Sequence, residues 1–131
     1  MAGIDIVVEI SAPEPVYEQI VRQIHEAVNA GRLKPGAPLP TVRQLAGDLS
    51  LNRNTVARAY KTLEDQGVIL TAGRKGTFVR QDATREVTRV KVNRAQRAMR
   101  HVVERLIVDG LSRDEISDIF KQALRPKSSK G

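Results

Sequence analysis

Four side chains able to grip nucleobases or phosphates, Arg53, Asn54, Arg58 and Lys61, fall within the stretch LSLNRNTVARAYKTLEDQG, residues 49–67. On a helix turning about 100° per residue, Val56, Ala59, Tyr60 and Leu63 gather on one side. Asn54, Arg58, Lys61 and Asp65 lie roughly opposite, with Arg53 and Ala57 on a flank. Arginine can span the two acceptors of guanine and asparagine can pair with adenine, in a major groove about 12 Å wide that admits one helix. The same residues, taken alone, also make an ordinary solvated face.

The neighbouring segment on the C-terminal side favours base reading. VILTAGRKGTFVR predicts two short strands around a glycine-permitted turn. Its tip, Gly73-Arg74-Lys75-Gly76, puts two cations on a flexible loop beside the same helix, suited to phosphates or a minor groove.

The elements that must position these groups are legible by periodicity. Ile4, Ile6, Val8 and Ile10 alternate, predicting a strand that SAPEP ends. Tyr17, Ile20, Val21, Ile24 and Val28 have the spacing of an amphipathic helix, stopped by Gly31 and Pro35. Thr41 can cap a second, two-turn helix carrying Val42, Leu45, Ala46 and Leu49. Asn52 caps the third helix and Gly67 closes it. Two short helices so closely joined must cross steeply to share a core, the helix-turn-helix geometry.

Past residue 80 the character changes. Residues 81–92 are polar and mixed and predict a linker or extended arm. Ala95, Met99, Val102, Val103, Leu106 and Ile107 fall at helical spacing up to Gly110. Ser112 and Glu115 then form a capping box before a helix carrying Ile116, Ile119, Phe120 and Leu124. The expected organisation is a domain over 1–80, a linker over 81–92 and a two-helix region over 93–126.

The segment PVYEQIVRQIHEAVNAGRLKPGAPLPTVRQLAGDLSLNRNTVARAYKTLEDQGVILTAGRKGTFV, residues 15–79, resembles the winged helix-turn-helix domain of the GntR family of bacterial transcription regulators. G-x-L-x-P-G-x-x-LP, VRQLA, NTVARAY-x-x-LE-x-xG and the glycine-flanked wing ending in TFV carry the likeness. The NTV-x-x-AY form, the leading strand and the short helical tail are similar to the YtrA branch. The resemblance implies an α+β, mainly α fold: a winged helix-turn-helix domain followed by a two-helix dimerisation tail. It also implies DNA contacts from Arg43, from Arg53, Asn54 and Thr55 at the start of the recognition helix, and from the wing around Gly76. Many family members carry an arginine directly after the position of Val56; here Ala57 stands there and Arg58 follows.

Charge fits a polyanionic partner by placement rather than excess. The chain carries +7, but residues 1–80 hold 10 Lys/Arg against 8 Asp/Glu and residues 81–131 hold 12 against 7. Arg94, Arg97 and Arg100 recur every three residues, most simply as a solvated face. With no cysteine, disulfides and thiol chemistry are excluded, in keeping with a cytoplasmic setting. Neither a secretory signal nor a membrane-length apolar run is expected. His25 and His101 are expected as surface residues, and neither a catalytic set nor a metal or cofactor site is visible. The residues therefore point to a DNA-binding regulator without enzymatic activity, a homodimeric repressor on double-stranded DNA. Met99, Val102, Val103, Leu106, Ile107, Ile116, Ile119 and Phe120 form the expected dimer surface. An aliphatic pocket for a small-molecule effector could form beside the tail. The alternative is a winged-helix module that binds protein or RNA.

Overall fold

The computed structural model describes residues 4–127. Two compact units are present, Met1–Lys91 and Val92–Gly131. In the first, α1 (Val16–Asn29) leads to β1 (Pro38–Leu39), α2 (Val42–Leu49), α3 (Arg53–Asp65), β2 (Ile69–Thr71) and β3 (Thr77–Val79); α4 (Ala83–Val108) starts there. The strands form one antiparallel sheet in the order β1-β3-β2, with Leu70 and Pro38 both opposite Phe78.

One aliphatic core holds the unit together. Ile20 and Ile24 of α1, Val56, Ala59 and Leu63 of α3, and Val68 beyond it are fully enclosed. Burying an aliphatic side chain of this size stabilises by about 1.5–3 kcal/mol, so the inward face of α3 is fixed before its outward face meets anything. Thr41 caps α2 through a capping box, its Oγ1 accepting from the Gln44 amide while Gln44 Oε1 accepts from the Thr41 amide. Asn52 Oδ1 accepts from the Asn54 amide and caps α3. Between α2 and α3 the chain turns at Ser50, which sits at φ 56° and lets the Leu51 amide reach back to the Ala46 carbonyl. That six-to-one bond is the Schellman closure, here made by a serine where glycine is the usual occupant.

Two expectations are corrected. Residues 4–9 are extended, but no strand pairs with them: the side chains of α1 take that role. Gln23 accepts from the Val7 amide and donates to the Val7 carbonyl. Gln19, buried, does the same for Glu9 and also donates to the Glu14 carbonyl. The alternation holds for Ile4, Ile6 and Val8, which pack on the core while Val7 is exposed, but it stops there: Ile10, expected on the same face, is exposed. Two glutamines one helical turn apart match the two-residue period of an extended backbone, so no sheet is required.

The second correction concerns residues 81–92, which are helical from Ala83 onward. Ala83 and Val87, four apart, are buried in the core of the first unit. A single narrow apolar stripe among solvated neighbours reads as linker by composition, although it suffices to dock two turns of helix. Glu86 explains Gly67: the glycine sits at φ 79°, and a Cβ there would lie 3.3 Å from the Glu86 side chain.

The second unit contains the remainder of α4 and α5 (Arg113–Leu124). Gly110, at φ 99°, closes α4, and Ser112 with Glu115 forms the expected capping box on α5. From Thr88 to Lys127 no described residue is buried. No helix among the described residues is long and apolar enough to cross a membrane.

Candidate nucleic-acid interface

The outward face of α3 holds the residues expected to read bases. Arg53, Asn54, Arg58 and Lys61 are exposed and Thr55 is half-buried, while Val56, Ala59, Tyr60 and Leu63 are buried on the opposite side. Three residues, 50–52, separate α3 from α2, the spacing of a helix-turn-helix.

Tyr60 ties this helix to the approach of α2. Its hydroxyl donates to the Pro40 carbonyl at 2.6 Å, and burial pushes the phenol's pKa far above its ordinary value. Pro40 immediately precedes the Thr41 cap, so α3 and the first turn of α2, where Arg43 is exposed, are held by one hydrogen bond and one cap. On the other side of Pro40, β1 pairs with β3, joining the same segment to the hairpin. This third strand is not legible in the sequence because Pro38–Leu39 is two residues long and contains a proline, a residue that argues against a strand.

The hairpin tip has a defined backbone turn. Gly73–Lys75 makes a single 3₁₀ turn, closed by bonds from the Lys75 amide to the Ala72 carbonyl and from the Ala72 amide to the Gly76 carbonyl. Gly76 adopts φ 105°, ψ −164°, a region open essentially to glycine alone. Arg74 and Lys75 project from the turn and are exposed.

Partnering separates the cations into two groups. Among the described residues Arg43, Arg53, Arg74 and Lys75 make no ion pair. Lys61 is held by Asp65 at 3.1 Å, one turn along. The Arg58 guanidinium lies over the Tyr17 ring, 3.9 Å from its centroid. Behind α3, His25 is half-buried rather than a plain surface residue, its Nε2 meeting Gln66 Oε1 at 2.7 Å. Arg89 of α4 donates to the Gln66 carbonyl, securing the same end of α3.

A helix anchored by a buried apolar face, exposed cations on its outer face, and a sheet-borne turn carrying two more define a winged helix-turn-helix protein. The model of bacterial regulatory proteins of the gntR family matches residues 16–79. The HTH-type transcriptional repressor YtrA of Bacillus subtilis is 32% identical over 108 residues, 82% of this chain and 83% of its own. On these grounds the chain belongs to the GntR family, the DNA-binding regulators that the resemblance anticipated.

An HTH-type transcriptional regulator of Mycobacterium tuberculosis is 49% identical over 72 residues, and the match spans 60% of that protein's length. Among solved structures, a transcriptional regulator from Oenococcus oeni superposes with a TM-score of 0.69 at 36% identity, covering 90% of this chain and 98% of that one. AraR(DBD) in complex with an operator matches with a TM-score of 0.51 at 25% identity, over 58% of this chain and 95% of that one.

Proposed function

We propose that this protein is a homodimeric, sequence-specific repressor that reads a pseudo-palindromic DNA operator. The observation that carries the reading is the unpaired state of Arg53 on α3 together with Arg74 and Lys75 on the wing. Arg53 and Asn54 read base edges at the leading end of α3. Arg43, Arg74 and Lys75 bind phosphates, and Gly76 lets the wing backbone approach closely. Thr55, Arg58 and Lys61 complete the face, with Lys61 exchanging Asp65 for a phosphate. YtrA is named a repressor and AraR(DBD) was solved on an operator, and both support this assignment.

Dimerisation is argued from energetics and from the tail. About four base contacts, each worth roughly 1–3 kcal/mol of discrimination, are thin against a genome of competing sites, and two copies double them. Met99, Val102, Ile107, Ile119 and Phe120 are exposed, while Val103, Leu106 and Ile116 are half-buried. Val92, Ala95, Met99, Val102 and Leu106 alternate by three and four, the repeat of a helix packing on another helix along a seam. A second copy of the tail would cover these residues. Such a regulator acts in the cytoplasm, works without catalysis or cofactor, and blocks transcription by occupying a promoter. A small-molecule effector would act by changing the separation of the two reading heads.

Anisotropy titrations on a selected duplex test the assignment. Arg53→Ala/Asn54→Ala should lose discrimination between that duplex and a scrambled one. Lys75→Ala should weaken both about equally and lower the salt slope by about 1. Undiminished discrimination by the double variant refutes the reader assignment. Binding insensitive to salt favours a protein- or RNA-binding module instead.

A further inference from the structure

We propose that Tyr17, on α1, is a positioning residue for base reading: its ring holds the Arg58 guanidinium in a reading pose. The proposal rests on α3 being the reading helix.

Arg58 lies 3.9 Å from the Tyr17 ring centroid and has no ion pair among the described residues. The choice of partner matters chemically. A carboxylate would take up guanidinium N–H groups, as Asp65 takes up the Lys61 ammonium. A ring face attracts the cation through its quadrupole and uses none of the five N–H donors, which stay in the guanidinium plane and free for a planar acceptor pair such as guanine O6 and N7. The platform itself is fixed. Tyr17 is half-buried against the core, between the half-buried Val16 and the fully enclosed Ile20, and its hydroxyl donates to Glu18 at 3.1 Å. Arg58 is otherwise a long side chain on an exposed face, with its rotamers unrestrained. Stacking therefore removes before binding a freedom that binding would otherwise have to remove. Specificity at one base position would then depend on a residue outside the helix-turn-helix that touches no base.

Random-duplex selection on the intact protein and its variants tests this. Arg58→Ala marks the operator position that Arg58 reads. Tyr17→Leu should reduce preference at that same position about 2- to 5-fold, the range expected of an exposed cation–π contact, and leave the positions set by Arg53 and Asn54 unchanged. Tyr17→Phe should restore the preference, and Tyr17→Leu should add nothing in the Arg58→Ala background. In the wild type, whose fold is not in question, the Arg58 side-chain protons should show upfield ring-current shifts in NMR spectra. Preference unchanged in Tyr17→Leu, or absent ring-current shifts, overturns the positioning role alone. An Arg58→Ala variant with an unaltered motif overturns both that role and the place of Arg58 in the reading face.

Discussion

At the scale of single residues, function depends on which polar groups are already spent. Lys61 is paired and Arg58 is stacked, whereas Arg53, Arg43, Arg74 and Lys75 make no ion pair among the described residues. Sequence periodicity turns Arg58 and Lys61 of α3 outward, with Arg53 on a flank, but cannot rank them, because the state of Arg58 depends on Tyr17, 41 positions before it in the chain. Tyr60 is the clearest case of a structural residue serving the site. Tyr60→Phe should cost about 1 kcal/mol by leaving the Pro40 carbonyl unbonded, and should loosen the first turn of α2. Burial raises the phenol's pKa in the folded state, so folding favours the protonated form. That contribution is complete below about pH 10, the ordinary tyrosine value, and is lost as pH rises above it. Urea unfolding should show the stability gap between wild type and Tyr60→Phe narrowing from about pH 10 to about pH 11. A gap that widens over this interval would contradict the burial argument.

At the scale of elements, the helices with broad apolar faces and recognisable caps were legible: α1, α2, α3 and α5, and the hairpin of β2 and β3. The elements that escaped did so for physical reasons. The N-terminal segment carries a strand's alternation but is satisfied by glutamine side chains, and nothing in its own residues distinguishes Gln19 and Gln23 from a partner strand. The start of α4 was hidden because only Ala83 and Val87 are buried along two turns. The turn between α2 and α3 carries strain that can be tested. Ser50 occupies a left-handed position, so Ser50→Gly should stabilise the protein by about 0.5–1 kcal/mol and raise Tm by a few degrees in thermal unfolding. The gain is less than the full steric cost because glycine also loosens the unfolded chain. A lower Tm would mean that the serine makes a contribution that its backbone conformation does not account for.

At the scale of the whole molecule, the absence of any buried residue between Thr88 and Lys127 is the main observation. A helical tail with Phe120, Ile119, Val102 and Met99 roughly half exposed leaves apolar surface that isolated soluble chains rarely show. Val102→Glu in the full-length protein should convert the proposed dimer into monomer by sedimentation or light scattering, leave helix content unchanged, and weaken operator binding. A persistent dimer would remove the tail from the interface. Truncation is informative only if it respects the core. A chain ending near residue 81 loses Ala83 and Val87 and opens the first unit, whereas one ending at Lys91 keeps both.

Whether the outer face of α3 reads base sequence is tested most directly by selecting a random duplex library on the intact protein. The expected result is enrichment of a pseudo-palindrome with half-sites about one helical turn apart, and a different or degraded motif for Arg53→Ala/Asn54→Ala. Recovery of no motif, or of the same motif by both proteins, would contradict that role for α3.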